Sequence, residues 1–244
     1  MTVNRFKRAG LPLIYGHRGV RGPLPENTMA AFMRAHQEGA DGVELDVRQA
    51  ATGEVVVFHD EDLRRMTQGF DSRAVGALSL AELKQIDLGG GERIPTLQEV
   101  IDWIEPTGML LNVEIKRDVP SRTALVLAVA KLLRGQLKGR LILSSFDPFM
   151  LTPLALLLSG IPRAILFHEG QARHNPWRWA RSGLWQAAHP EHTRANAETI
   201  ASLGSRICNA WTVNDASAAR RLSAAGIDGL ITDQLGAIRA AVEA

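Results

Sequence analysis

From residue 109 onward the chain repeats one pattern: a short apolar run of strand length, a turn, then a stretch with helical spacing. The strand-like runs fall at 109–116, 140–144, 163–167, 184–188, 206–211 and 229–232, and the helix-like stretches at 121–133, 152–158, 176–181, 193–203, 215–225 and 234–244. Two earlier pairs complete the series. A run at 11–15 leads to a helical stretch at 29–37, with Asn27 or Thr28 as N-cap. A run at 43–47 leads, after an irregular glycine-rich segment at 61–95, to a helix capped by Thr96 with Glu99 three residues on. Each connection is long enough for the helical crossover that parallel strands require. Eight such pairs predict an α/β chain closed as a (β/α)8 barrel, one domain over residues 1–244, with a small insertion after the second strand at about 61–95. An open, doubly wound sheet competes. It normally carries a glycine-rich dinucleotide turn after its first strand, and Gly16-His17-Arg18-Gly19 lacks that spacing.

The second strand carries charges that a buried strand should not have. Val43, Leu45 and Val47 alternate with Glu44, Asp46 and Arg48, so both carboxylates project from one face. Residues 50–53 read as a turn and 55–58 as a returning strand, which places His59 roughly opposite Glu44. An isolated Glu-x-Asp on a strand is usually a solvated surface feature. In a barrel, however, functional side chains gather at the C-terminal ends of the strands, and the polar residues fall there repeatedly. His17 and Arg18 end the first strand, and Glu44 and Asp46 the second. The third presents Asn112, Glu114 and Lys116 on one face, with Leu111, Val113 and Ile115 turned to the helices. Ser144, Ser145 and Phe146 end the fourth, His189 follows the sixth, Trp211, Thr212 and Asn214 end the seventh, and Thr232 and Asp233 the eighth.

Three inward carboxylates, Glu44, Asp46 and Glu114, cannot share a poorly solvated barrel mouth unless their pKa values rise or a cation joins them. All-oxygen ligation points to Ca2+ or Mg2+ over zinc. With a divalent ion, Arg18 and Lys116 leave one net positive charge, which matches one phosphodiester anion. His17 and His59 complete the set as general acid and general base, imidazole being the side chain that titrates nearest neutrality. Each residue alone has a plainer explanation as a cap, an ion pair or a loop hydrogen bond. Their number favours chemistry.

Composition narrows the partners. A net charge of +2 and no basic stripe with interleaved aromatics argue against nucleic acid. The longest apolar run, 149–158, is about half the ~20 residues of a membrane span. The apolar stretch at 11–14 is too short for a secretory leader, and the lone Cys208 sits in an apolar run. These features predict a cytoplasmic protein with a small-molecule substrate. Between 168 and 185, Trp177, Trp179 and Trp185 interleave with Arg173, Arg178 and Arg181, a pattern compatible with weak contact to an anionic membrane surface. The segment is short and the net charge low, which favours ordinary packing.

The motifs Gly16-His17-Arg18-Gly19, Pro25-Glu26-Asn27-Thr28, Val43-Glu44-Leu45-Asp46-Val47, Val57-Phe58-His59-Asp60, Ile94-Pro95-Thr96-Leu97, Val113-Glu114-Ile115-Lys116, Ser144-Ser145-Phe146, Trp211-Thr212-Val213-Asn214 and Asp228-Gly229-Leu230-Ile231-Thr232-Asp233 span nearly the whole chain. In that order they resemble the glycerophosphodiester phosphodiesterase family. The resemblance implies a TIM-type barrel that hydrolyses glycerophosphodiesters to sn-glycerol 3-phosphate and an alcohol. It implies His17 and His59 as the catalytic pair, Arg18 and Lys116 on the phosphate, and Glu44, Asp46 and Glu114 on the metal. Phe146 and Trp211 would wall the pocket, and Glu26 would orient Arg18. Met66 and Phe70 depart from the family pattern, which suggests a differently shaped leaving-group pocket. Alternatives are lysophospholipase D-type hydrolysis of single-chain phospholipids and a noncatalytic phosphodiester-binding protein.

Overall fold

The computed structural model describes residues 5–22, 24–168 and 185–244. Among these, the strands are β1 (Leu13–His17), β2 (Gly42–Gln49), β3 (Val55–Val57), β4 (Leu110–Ile115), β5 (Leu141–Ser145), β6 (Arg163–Phe167), β7 (Ala187–Pro190), β8 (Ile207–Ala210) and β9 (Gly229–Thr232). The α-helices are α1 (Met29–Gln37), α2 (Leu80–Leu83), α3 (Leu97–Ile104), α4 (Arg122–Leu133), α5 (Pro148–Leu157), α6 (Ala197–Ala201), α7 (Ala216–Ala224) and α8 (Leu235–Glu243). Every strand but β3 runs parallel to its neighbours, and the order β1-β9-β8-β7-β6-β5-β4-β2 is closed by pairing of β1 with β2. The barrel expected from the alternation is therefore the one observed.

Alternation along the strands separates two apolar cores. Val43, Leu45, Val47, Leu111, Val113 and Ile115 face outward and pack with Phe32, Leu97, Ile101, Leu125 and Val129 of the helices. Leu13, Tyr15, Leu110, Ile142, Ala164, Ala187, Ile207 and Ile231 fill the barrel interior together with Phe6. The cap residues hold as read: Thr28 Oγ1 accepts from Ala31 N, and Thr96 with Glu99 forms a reciprocal capping box.

β3 folds back antiparallel on β2, with Val47 opposite Val57. Phe58 N donates to Asp46 O at 2.9 Å. Continued two residues, that register sets His59 level with Leu45 and not with Glu44. The shift arises in the turn, where Ala50 N donates to Glu54 O and fixes the pairing one residue away from the expected one. Between β3 and α3 the chain forms a small lobe with its own core of Val56, Phe58, Leu63, Val75, Leu78, Leu83, Leu88 and Ile94. Met66 packs against that core, and Phe70 is 92% exposed.

Two helices begin elsewhere than periodicity suggests. α5 starts at Pro148, four residues before the expected 152, because Asp147 Oδ1 caps Phe149 N and the proline occupies the first turn; Pro153, which reads as a break, lies inside the helix. The stretch at 193–203 divides into a 3-10 turn, His192–Arg194, and α6, because Asn196 caps a new start with Thr199. The expected helix at 176–181, and with it Arg173, Trp177, Arg178, Trp179 and Arg181, lies outside the described residues. Among the described residues no helix is long and apolar enough to cross a membrane.

Candidate active site

β1 ends in a turn that only glycine permits. A Cβ on Gly16 would overlap the carbonyl oxygen of Gly19, and one on Gly19 would overlap the Ala31 backbone of α1. Between them Arg18 takes a left-handed conformation, φ +56°. Its backbone N thereby donates to Glu44 Oε2 at 3.0 Å, while its side chain reaches Glu26 Oε1 at 2.8 Å and lies 3.2 Å from Asp46 Oδ2. Asn27, also left-handed, donates from Nδ2 to Asp46 Oδ2 at 2.8 Å. One tight turn thus organises both carboxylates of β2.

Asp46 and Glu114 are paired in register across β2 and β4, and Glu44 sits beside His17 across β1 and β2. Carboxylate oxygens of Glu44, Asp46 and Glu114 lie within 4.8 Å of one another, and all three residues are buried. Their environments differ. Burial, reinforced by the charges of Asp46 and Glu114, pushes the Glu44 carboxyl well above the usual range. Burial would raise Asp46 too, but Lys116, Arg18 and His59 outweigh it and hold that carboxyl well below the usual range. Lys116 Nζ lies 2.8 Å from Glu114 Oε1 and 3.3 Å from Asp46 Oδ1. Lys116 loses to burial and regains more from Glu114 and Asp46, so its ammonium is held charged. The cluster fits a hard divalent cation: its donors are oxygens, and an ionised Glu44 would carry a charge that the protein's own cations leave uncompensated. Asn112, opposite Glu44 on β4, adds a buried carbonyl oxygen, Oδ1, that accepts no hydrogen bond among the described residues.

Each histidine is backed by a carboxylate. His17 Nδ1 lies 2.8 Å from Asp233 Oδ1, and Asp233 Oδ2 accepts from Asn214 Nδ2 at 2.7 Å. His59 Nδ1 lies 2.6 Å from Asp60 Oδ1. A carboxylate can only accept, so each Nδ1 carries its proton and each Nε2 is left for proton transfer. Burial, with Lys116 and Arg18 adding to it against Asp46, lowers the His59 pKa. His59 therefore rests neutral near pH 7, the state a base requires. Arg48 fixes the His59 backbone: buried on β2, it donates from Nε and Nη2 to the His59 carbonyl at 3.0 and 2.7 Å, and from Nη2 to Asp118 Oδ2 at 2.7 Å.

A cleft of about 460 Å³ opens beside these groups and is lined by His59, Asp60, Glu61, Glu114, Lys116, Arg117, Phe146 and His168, among others. Trp211 meets Phe146 edge-on with ring centroids 5.5 Å apart, so the aromatic wall is a pair in which Phe146 lines the cleft and Trp211 supports it. Neither Met66 nor Phe70 lines the cleft. His189 belongs inside the barrel: it is fully buried on β7, where burial pushes its pKa down to about 3. All nine sequence-derived positions, His17, Arg18, Glu44, Asp46, His59, Glu114, Lys116, Phe146 and Trp211, lie at the C-terminal end of the barrel.

The profile of the glycerophosphoryl diester phosphodiesterase family matches residues 17–237. The chain belongs to that family. It is 34% identical over 232 residues to a glycerophosphodiester phosphodiesterase of Caldanaerobacter subterraneus subsp. tengcongensis, covering 91% of this chain and 93% of the relative. Among solved structures, it matches a phosphodiesterase of Oleispira antarctica in complex with the product sn-glycerol-3-phosphate, with a TM-score of 0.85, 30% identity and 96% and 98% of the two chains covered. A glycerophosphodiester phosphodiesterase from Thermotoga maritima matches with a TM-score of 0.77 and 31% identity, covering 92% and 96%.

In this glycerophosphoryl diester phosphodiesterase family member several contributors escaped the sequence reading. Asp233 and Asn214 stood out as polar strand ends, yet nothing in the sequence pairs them with His17, 216 residues away. Asn27 reads as a cap and instead holds Asp46; the left-handed turn that frees it from capping has no periodic signature. Arg48 shares the parity of Glu44 and Asp46, and that was the available signal for an inward, structural arginine.

Proposed function

We propose that this protein hydrolyses glycerophosphodiesters to sn-glycerol 3-phosphate and an alcohol, using Ca2+ or Mg2+ held by Glu44, Asp46 and Glu114. The observation that carries the reading is the convergence, at one barrel mouth, of three buried carboxylates, two cations and two carboxylate-backed histidines. A divalent ion there would supply Lewis-acid polarisation of the phosphoryl oxygens. Arg18 and Lys116 neutralise the phosphodiester and stabilise charge on its equatorial oxygens. One Nε2 takes the proton of the attacking hydroxyl as the new P–O bond forms. The other gives a proton to the departing alkoxide as the old P–O bond breaks. The nucleophile is water or the glycerol 2-hydroxyl; a cyclic glycerol phosphate seen by phosphorus NMR identifies the second route. A single buried thiol, Cys208, is consistent with a reducing compartment, and we place the enzyme in the cytoplasm.

The deciding experiment is a coupled assay for released glycerol 3-phosphate from glycerophosphocholine, glycerophosphoethanolamine and glycerophosphoglycerol, with and without chelator. Turnover by the parent that chelator removes and added metal restores is the expected result. Absence of turnover on all three diesters, with metal present, refutes the reading and leaves the lysophospholipase D-type enzyme, which turnover of lysophosphatidylcholine would identify, and the noncatalytic binder.

Glu44 gives this reading a pH signature. Its folded pKa lies above its unfolded value of about 4.5, so in metal-free protein its contribution to stability is present below that value and is lost as pH rises through the folded pKa. Metal reverses that loss by pairing with the ionised carboxylate. The rise in Tm on adding Mg2+ or Ca2+ should therefore grow from pH 5 to pH 8 and be smaller and flatter in Glu44→Gln. An equal shift at both pH values in the parent contradicts the assignment.

A further inference from the structure

The two halves of the site are joined by a residue of the insertion. Arg65 donates from Nε to Asp60 Oδ2 at 2.6 Å and from Nη2 to Glu26 Oε1 at 2.5 Å. Asp60 is the carboxylate behind His59, and Glu26 the carboxylate behind Arg18. A continuous run of contacts therefore reads His59, Asp60, Arg65, Glu26, Arg18, each link between 2.5 and 2.8 Å. The three segments it crosses are the end of β3, the insertion and the β1–α1 turn. On the His17 side the corresponding path is looser: Asp233 accepts from a neutral amide, Asn214, while Arg21, which donates to Glu26 Oε2 at 3.3 Å, lies 3.7 Å from Asp233 Oδ2.

Salt bridges at exposed positions contribute little, and Arg65 is 45% exposed. Its partners are not: the side chains of Glu26 and Asp60 are 6% and 22% exposed. A planar guanidinium holding two carboxylates through different nitrogens fixes their separation as well as their charge, which a lysine cannot do. Rigid backing of first-contact residues matters for rate because small misplacements of reacting groups are costly.

We propose that Arg65 is a positioning residue that couples the proton-transfer histidine His59 to the phosphate-binding Arg18, so that the insertion sets both turnover and phosphate affinity. The inference rests on the phosphodiesterase reading above, and one of its tests does not need activity. In steady-state assays Asp60→Asn should lower kcat with little change in KM, Glu26→Gln should raise KM, and Arg65→Met should do both, with a combined loss of roughly 10- to 100-fold in kcat/KM, the range for residues that orient a contacting group. Arg65→Lys should recover only a minor part. Arg65→Ala should regain turnover with millimolar guanidinium ion, a rescue that a purely structural role would not show. Calorimetric metal affinity should stay within about threefold of the parent.

Independently of turnover, the hydrogen-bonded Nδ1 proton of His59 should give a downfield NMR resonance in the parent that Arg65→Met weakens or removes, and the affinity for sn-glycerol 3-phosphate should fall in the same variant. Retention of kcat, KM and the resonance within about threefold of the parent in Arg65→Met overturns the proposal, as does a loss seen in Arg65→Met while Asp60→Asn and Glu26→Gln stay active. If the parent is inactive on every diester yet the resonance and product affinity respond as stated, the coupling stands and the function assignment fails.

Discussion

Asp46→Asn should reduce turnover by about 10³-fold or more and weaken divalent-metal binding together with it. Asp46 is 1% exposed and is the one carboxylate of the cluster touched by three organising groups: Asn27 Nδ2 at 2.8 Å, Arg18 Nε at 3.2 Å and Lys116 Nζ at 3.3 Å. An amide of the same shape keeps the volume and removes the charge. Arg18 and Lys116 are then left with less to balance them, and the amide sets an N–H or an oxygen against Asn27 in an arrangement that satisfies only some of their polar groups. Loss of a Lewis acid worth several kcal/mol, at about 1.4 kcal/mol per tenfold, amounts to the stated factor of about 10³. Calorimetric titration with Mg2+ and Ca2+ and the glycerol 3-phosphate assay check it. A variant that keeps a tenth of parental kcat would remove Asp46 from the metal set.

His59→Ala and His17→Ala should each lower kcat by about 10²- to 10⁴-fold, the range for general acid–base groups. The double variant should fall little below the worse single one if, as proposed, the two act in one proton-transfer sequence. A diester with an acidic nitrophenol leaving group separates their roles. The variant lacking the proton donor should recover much of its rate on that substrate, since the departing phenolate needs no proton, whereas the variant lacking the base should not. His59, half-buried and with its pKa lowered by desolvation and by Lys116 and Arg18 beside it, is the expected base. Recovery of His59→Ala, with His17→Ala remaining slow, would reverse the assignment, and full turnover in either would end it.

The barrel was legible because period-two and period-3.6 patterns alternate cleanly, and because caps such as Thr28 and Thr96 mark helix starts. The acidic cluster was legible for a related reason: strand parity alone puts Glu44, Asp46 and Glu114 inward at strand ends. What stayed hidden depends on distance along the chain or on conformations outside periodicity. His17 finds Asp233 only when the ring closes, Arg18 and Asn27 act through left-handed backbone, and the one-residue offset of His59 is set by how five residues turn between β2 and β3. Arg65 is invisible for both reasons, since it lies in the irregular lobe and bridges two segments that the sequence keeps far apart.

The bond between His17 and Asp233 crosses the seam where the first and last strands of the ring meet. A nascent chain must therefore be synthesised past Asp233 before His17 gains its carboxylate partner. During refolding, the return of catalytic rate should lag the return of helical signal, and the interval between them times the shutting of that final joint.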